Sequence, residues 1–100
     1  MNIEQLAKTL DALGHPLRIK IVALLTKNSE MYLNEIANNL KISRALAKVH
    51  LKKLEKAEIV KSRVELVEEE AKARRYYQLK SFDLHLSPQN IQEEVEKYGQ

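Results

Sequence analysis

The segment from Leu33 to Val60 constrains the fold of this 100-residue chain more than any other part of its sequence. The apolar residues of 34–40 recur at the spacing of one helix face, a short turn follows, and a second helical pattern begins after Ser43. Serine is a favourable N-cap, because its hydroxyl accepts a hydrogen bond from a free amide of the first turn. Two short helices joined by a tight turn are typical of a helix-turn-helix, in which the second helix enters a DNA groove.

The second helix of this pair is predicted to have two unlike faces. At about 100° per residue, one face carries mostly apolar residues, namely Ala47, Leu51, Leu54 and Glu58, with His50 at its edge. The opposite face carries small apolar residues among cations, namely Ala45, Lys48, Val49, Lys52 and Lys56, with Arg44 at its N-terminal end. Small side chains allow close approach to a groove, and cations neutralise phosphates. A solvated basic face on an ordinary surface helix is the alternative.

Charge is distributed unevenly along the chain, whose net charge is +3. Residues 41–61 contain seven Lys or Arg residues against two Glu residues, whereas residues 81–100 contain one Lys against four acidic residues. Basic charge concentrated on one segment favours a nucleic acid as partner. We therefore predict contacts with double-stranded DNA from the turn and the second helix, through Lys41, Ser43, Arg44, Ala45, Lys48, Val49, Lys52 and Lys56.

The composition indicates one folded domain of residues 1–100, because 31% of the residues are charged and 44% are hydrophobic. The chain has no cysteine, which excludes disulfides and thiolate metal sites. No apolar run approaches the roughly 20 residues of a membrane span, and the first residues lack the basic and apolar regions of a signal peptide. We expect a cytoplasmic protein.

Local signals predict two helices before the helix-turn-helix. Asn2 and Gln5 fit a capping box at the start of the first, and Gly14 fits its C-terminal end. Pro16 favours the first turn of the second helix, whose apolar residues lie on most sides and place it at the centre of the core. Asn34 is then expected to cap the first helix of the helix-turn-helix. The whole helix-turn-helix is predicted to span about residues 34–57.

The period of the sequence changes after the helix-turn-helix. Alternating residues predict two strands, about 59–66 and 75–79, joined by a charged tip, so that residues 59–79 form a wing. A further alternation followed by Ser87-Pro88 predicts a C-terminal strand and a last helix within about 82–98. The expected fold class is mainly α (α+β): a winged helix-turn-helix with a two- to three-stranded wing sheet and a C-terminal helix.

The wing is expected to add DNA contacts through its cations Lys72, Arg74 and Arg75. The run Glu68–Glu70 beside them should repel phosphate, so that only one flank of the tip approaches DNA. Tyr76 and Tyr77 could stack on bases, but the alternation places one of them against the core.

The two terminal helices carry apolar stripes that the core of the helix-turn-helix does not require. They consist of Ile3, Leu6 and Leu10 in the first helix and Ile91, Val95 and Tyr98 in the last. Stripes this narrow do not hold a helix in isolation, and pairing with a second copy would bury them. We therefore predict a homodimer that uses these residues.

Several motifs resemble those of ArsR-type winged-helix repressors. The stretch Ala12–Ile21, with its leucine-glycine, proline and arginine, is similar to the opening signature of that family. Other stretches that resemble the family are Glu35–Ala37, Ile42-Ser43, His50–Leu54, Ala57–Val60 and Arg75–Leu79. The resemblance covers about residues 1–80 and implies a sequence-specific regulator, expected to be a repressor, that binds operator DNA as a homodimer. It implies Ser43–Lys52 as the reading segment.

The departures from the family pattern concern metal sensing and base preference. The cysteine-containing sensor of the family is absent, since Met31–Asn34 stands in its place, and the last helix has no histidine for the family's second metal site. Lys41 replaces the customary glycine of the turn, and a positive φ there would cost about 1 kcal/mol. Lys48-Val49 replaces the family's serine-arginine pair, so its base preference does not transfer to this chain.

Other functions have weaker support in the sequence. His15, His50 and His85 are not spaced as metal ligands, so no metal or other cofactor is predicted; His15 is expected to cap a turn and His50 to pack half-buried with a hydrogen bond. No glycine-rich phosphate loop or nucleophile–base arrangement supports an enzyme. The alternative functions are a winged helix that coats chromosomal DNA non-specifically, contacts another protein, or binds RNA.

Overall fold

The computed structural model describes residues 2–98, and the side chains of residues 2–97. In this part of the chain, the elements are α1 (Ile3–Leu13), α2 (Pro16–Lys27), β1 (Met31–Tyr32), α3 (Leu33–Leu40), α4 (Arg44–Lys56), β2 (Val60–Val67), β3 (Lys72–Leu79) and α5 (Pro88–Tyr98). The strands form one antiparallel sheet in the order β1-β3-β2. This architecture confirms the predicted fold class. None of the described helices is long and apolar enough to cross a membrane.

Side-chain caps fix the helix starts, as the sequence predicts. The expected capping box opens α1. At the start of α2, His15 Nδ1 accepts a hydrogen bond from Leu17 N–H at 3.0 Å. At the start of α4, Ser43 Oγ accepts one from Leu46 N–H at 3.1 Å. The Ser43 cap sets the first residue of α4 and thereby which side chains lie on its outer side.

The ends of the two helix-turn-helix helices differ in part from the prediction. Asn34 is not the N-cap of α3, because the helix begins one residue earlier, at Leu33. The Glu35 carboxylate accepts a hydrogen bond from Tyr32 N–H at 3.0 Å and so satisfies an amide at the helix start from within the first turn. Helix α4 ends at Lys56, so Glu58 lies beyond it and is exposed instead of facing the core.

Left-handed backbone follows both of these helices. Lys41 has a φ of 57°, which confirms the strained turn expected from its lack of glycine, and Glu58 repeats the conformation after α4 with a φ of 60°. In each case the amide of the next residue, Ile42 or Ile59, bonds back to a carbonyl five residues earlier. These hydrogen bonds satisfy the last carbonyls of each helix and offset a backbone cost of about 1 kcal/mol per residue.

The hairpin of the wing is longer than predicted and its tip is shorter. Strands β2 and β3 pair all the way to Val67 and Lys72. A single 3-10 turn, Glu68–Glu70, closes the hairpin, and Ala71 supplies the left-handed residue with a φ of 50°. Residues 67 and 72–74, which the sequence predicts in the charged tip, therefore lie on strands with a fixed orientation.

The predicted C-terminal strand is wrong, because residues 80–87 form no strand. Their apolar side chains instead face two helices: Leu84 and Leu86 line a groove of about 280 Å³ together with Leu6 of α1 and Ile91 of α5. An extended segment with alternating apolar residues can pack on helices as well as pair with a strand. The sequence pattern therefore predicts a strand where none forms.

The core lies between α2, α3, α4 and the sheet. Its largest fully buried side chains are Ile21, Ile36, Leu51, Leu54, Ile59 and Val60. Helix α2 buries Ile21 and Leu25 but leaves Ile19 57% exposed, so the prediction that α2 is buried on most sides is wrong. Its third buried residue is a cation, Arg18.

Arg18 joins three helices through its guanidinium, although only 7% of the residue is exposed. It donates to the carbonyls of Ala12 and Asp11 at the end of α1, and its Nη1 lies 3.0 Å from His50 Nδ1 in α4. Because arginine only donates, His50 accepts at Nδ1 and holds its own proton on Nε2. The His15 ring packs against the His50 ring at 4.4 Å between centroids. His50 is therefore hydrogen-bonded as expected, but it is buried rather than half-buried.

We expect the free energy of unfolding to fall as the pH drops below about 6.5. Burial lowers the pKa of His50, and His15, Arg18 and Lys53 act in the same direction through their charge. The unfolded chain then binds a proton that the folded chain excludes, so this stabilisation is present above the ordinary His pKa and is lost as the pH falls through the folded-state pKa.

Urea titrations across this pH range, at one protein concentration, would measure the effect. His50→Asn keeps an acceptor near Arg18 but does not titrate, so it should show a flatter pH profile than the natural chain. Identical profiles for the two proteins would contradict this assignment.

Candidate nucleic-acid interface

The outer face of α4 is exposed along its whole length. It consists of Arg44, Ala45, Lys48, Val49, Lys52 and Lys56, and it lies opposite the buried residues Ala47, His50, Leu51 and Leu54. Lys41 is exposed in the preceding turn, and Ser43 is exposed although its hydroxyl is engaged as the N-cap. Among the described residues, the cations of this face and Lys41 form no ion pair. The face is therefore a surface of uncompensated positive charge.

A basic groove of about 220 Å³ separates the start of α4 from the wing. Its cations come from two elements and are Arg44 and Lys48 of α4 and Lys72, Arg74 and Arg75 of β3. Asn34 lines the same groove, and its Oδ1 is buried without a hydrogen-bond partner among the described residues. The Asn34 amide can turn its NH₂ toward an anion, and the surrounding cations attract one.

The wing cations are less free than those of α4. Lys72 Nζ lies 3.0 Å from a Glu70 carboxylate oxygen and Arg74 Nη2 lies 3.1 Å from the other, and the hydrogen bond from Lys72 is the main cause that lowers the pKa of Glu70. The Arg74 guanidinium also lies 4.5 Å from the centre of the Tyr32 ring. Glu70 therefore holds two of the three predicted wing cations, while Glu68 and Glu69 remain exposed at the tip.

A hydrogen-bonded chain connects α4 to the wing. Ser62 Oγ of β2 donates to the Glu55 carboxylate of α4 at 2.7 Å, and Arg75 of β3 donates to Ser62 Oγ at 3.0 Å. Sequence reasoning did not single out Glu55 or Ser62. The strand register carries the missing signal, since Ser62 pairs with the buried Tyr77 and must therefore share its face, which is the face toward the core.

The opposite face of the sheet carries a row of two tyrosine rings, Tyr32 and Tyr76, between the guanidinium groups of Arg74 and Arg63. Tyr32 and Tyr76 pack edge to face at 5.8 Å, and Arg63 lies 4.7 Å from the centre of the Tyr76 ring. Glu30 accepts two hydrogen bonds from the Arg63 guanidinium, and these bonds lower the pKa of Glu30. Tyr76 is half-buried between Tyr32 and Arg63, whereas Tyr77 lies in the core and is not free to stack on a base.

Two of the three histidines are in contact, since the half-buried His15 packs against the buried His50. The exposed His85 lies apart from them, 3.1 Å from Asp83. No group of three or more His, Asp or Glu side chains within the described residues has an arrangement that would hold a metal ion.

The predicted dimer residues lie on one side of the molecule, where α5 packs on α1. Ile3 and Leu6 are half-buried, Leu10 is 36% exposed, Ile91 is 47% exposed and Val95 is half-buried. No residue of α5 whose side chain the structure describes, Pro88 to Lys97, belongs to the core. The side chain of Tyr98, the sixth predicted dimer residue, lies outside the described residues. In the same groove as Leu6 and Ile91, Glu94 Oε2 is buried without a partner among the described residues.

Comparison with known sequences gives one family and one curated relative. The sequence model described as "Bacterial regulatory protein, arsR family" matches residues 15–62. An uncharacterized HTH-type transcriptional regulator from Methanocaldococcus jannaschii is 35% identical over 91 residues, which cover 91% of this chain and 93% of the relative.

Comparison with solved structures gives the same fold. A Mycobacterium bovis fragment, described as the homodimeric winged helix-turn-helix DNA-binding domain of a possible ArsR-family regulator, is 26% identical with a TM-score of 0.67, over 77% of this chain and 65% of that one. HlyU from Vibrio cholerae is 23% identical with a TM-score of 0.68, over 97% of this chain and 95% of that one, and supports the fold alone.

Proposed function

Since the chain belongs to the arsR family of bacterial regulatory proteins, it is a DNA-binding transcription regulator. We propose that it acts as a homodimer whose two α4 helices enter the major groove of an operator. The observation that carries this proposal is the outer face of α4, where exposed cations that form no ion pair with any described residue surround two small apolar residues. An α-helix with such a face fits the width and the charge of a major groove.

The position of each cation along α4 suggests its role. Arg44 and Lys48 lie in the first half of the helix, which is the part that contacts base edges in helix-turn-helix proteins. Lys52 and Lys56 lie further along, where they are expected to contact phosphates and to contribute to the salt dependence of binding. Lys41 in the turn is also placed for a phosphate contact, and such a contact would compensate for its left-handed backbone.

The wing is proposed to contact the adjacent minor groove or backbone through the basic groove beside α4. Arg75 is the cation best oriented for this contact, since it lies on the α4 side of the sheet and is held by Ser62 rather than by a carboxylate. Lys72 and Arg74 would contribute less, because they bind Glu70 in the absence of DNA.

The dimer proposal rests on the apolar side formed by α1 and α5 and on the homodimeric state described for the Mycobacterium bovis domain. Exposed Ile91 and Leu10 would be buried by a second copy, and a donor from that copy could satisfy the buried oxygen of Glu94. Two-fold symmetry would place the reading helices about one helical turn apart, roughly 34 Å, which implies a near-palindromic operator. Occupancy of such a site excludes other proteins from the DNA, so the proposed outcome is repression. We propose the cytoplasm as the location of this activity.

Selection of bound sites from random DNA, followed by affinity measurement on the enriched site, tests the function. Arg44→Ala and Lys48→Ala should each weaken binding by about 1–3 kcal/mol without loss of helical circular dichroism. Lys20→Ala is the matched control, because it removes an exposed charge from α2, outside the proposed surface. Unchanged affinity in both α4 variants would refute the interface, and failure to enrich any sequence would favour the non-specific alternative.

Sedimentation of the intact chain and of an Ile91→Asp variant tests the dimer. A charge at this half-exposed position opposes burial against a second copy but leaves the core of the monomer untouched, so the variant should sediment as a monomer and bind the selected site far more weakly. Gln92→Asp adds the same charge about a quarter turn away and should remain a dimer. A monomeric natural chain with full operator affinity at micromolar concentration would rule out this arrangement.

A further inference from the structure

In the first half of α4, the centre of its outer face is apolar, whereas Lys52 and Lys56 continue this face in the second half. Ala45 and Val49 lie one helical turn apart, and at 100° per residue they point almost directly away from the buried side of the helix. Val49 is 56% exposed, and neither residue belongs to the core or packs against it. The cations Lys48 and Lys52 flank this pair on the wing side.

A single exposed valine is common and carries no inference by itself. The position of Val49 is what distinguishes it, because the two residues stand where a helix inserted in the major groove meets the edges of the bases. In that placement the flanking lysines would reach outward to phosphates, and the short side chains beside them would face the floor of the groove. Apolar side chains there form no hydrogen bonds and would leave donors and acceptors of most base pairs unsatisfied.

One apolar group lies on the floor of the major groove of unmodified DNA, namely the C5-methyl group of thymine. A Val–methyl contact removes apolar surface from water on both sides, whereas the same valine over a cytosine or a purine edge desolvates polar groups without compensation. The apolar side chains of Ala45 and Val49 therefore favour thymine over the other three bases.

We propose that Val49, assisted by Ala45, is a specificity-determining residue that contacts the 5-methyl group of thymine in each half-site of the operator. This inference rests on the proposed function, and it adds a base preference that the resemblance to the family does not supply, since Lys48-Val49 departs from the family's serine-arginine pair. Arg44 and Lys48 then hold the helix in register while Val49 discriminates.

Replacement of thymine by uracil in the selected operator isolates the contact, because uracil lacks only the methyl group and keeps the same pairing and hydrogen-bonding atoms. For the natural chain, uracil at the contacted position should weaken binding about fourfold for each methyl group lost. Val49→Ala should bind the thymine and uracil sites with nearly equal affinity, because the side chain that contacts the methyl group has been removed. The four affinities form a double-mutant cycle that measures the Val49–methyl interaction.

Val64→Ala is the matched control. Val64 is 51% exposed, close to the exposure of Val49, but it lies on β2 of the wing, away from the thymine methyl groups of the major groove. This variant should keep the full preference for thymine over uracil, even if its overall affinity changes.

The outcomes separate this inference from the proposed function. Enrichment of a defined site together with indifference to uracil at every thymine would overturn the role of Val49 and leave the regulator intact, as would a uracil penalty of equal size in Val49→Ala. If no site is enriched, both the proposed function and this inference fail. A uracil penalty in the natural chain that disappears only in Val49→Ala supports the assignment.

Discussion

The arrangement of α1, α2 and α4 depends on the buried guanidinium of Arg18. Within the part of the chain that the structure describes it has no carboxylate partner, and it donates instead to the carbonyls at the C-terminal end of α1 and to the ring of His50 in the middle of α4. The end of a helix carries partial negative charge, so a cation there is stabilised without an acid. Because His50 is on α4, this one group fixes the rotation of α4 about its own axis relative to α1 and α2. Ala47, Leu51 and Leu54 then pack on the core, and the cations of α4 face outward.

The wing is tied to this assembly from both faces of the sheet. Glu55, Ser62 and Arg75 form a hydrogen-bonded chain on the core side, and Glu30 clamps Arg63 on the other. Ion pairs this exposed contribute little stability individually, but they set the orientation of the strands. They also distribute the positive charge of the molecule unevenly. Among residues 2–97, the cations of α4 form no ion pair, whereas most cations of the wing bind carboxylates. The strongest attraction for an anion therefore lies at α4 and at the groove beside it.

Local sequence signals were sufficient to predict where α1, α2 and α4 start and which side of α4 is buried. Ser43 predicts the start of α4, and the spacing of Leu51 and Leu54 predicts its buried side. The resemblance to the family, whose turn has a glycine at the position of Lys41, adds the left-handed residue found there. The predictions that failed concern features that depend on contacts with residues distant in the sequence. Arg18 is buried because α1 and α4 supply acceptors, and residues 80–87 leave the sheet because α1 and α5 offer a better surface for Leu84. The links through Ser62 and Glu30 likewise need the register of the hairpin, which no single segment specifies.

The central claim is that α4 lies in the major groove of two symmetric half-sites, with the wing beside it. Because the chain has no cysteine, a DNA-cleaving reagent can be tethered at one introduced thiol, through Leu46→Cys on α4 or Ala73→Cys on the wing. On the selected operator, the α4 label should cut within both half-sites, whose centres lie about one helical turn apart. The wing label should cut on the flank of each half-site, with the same two-fold symmetry. Cuts from the wing label alone, or a single set of cuts without symmetry, would contradict the account.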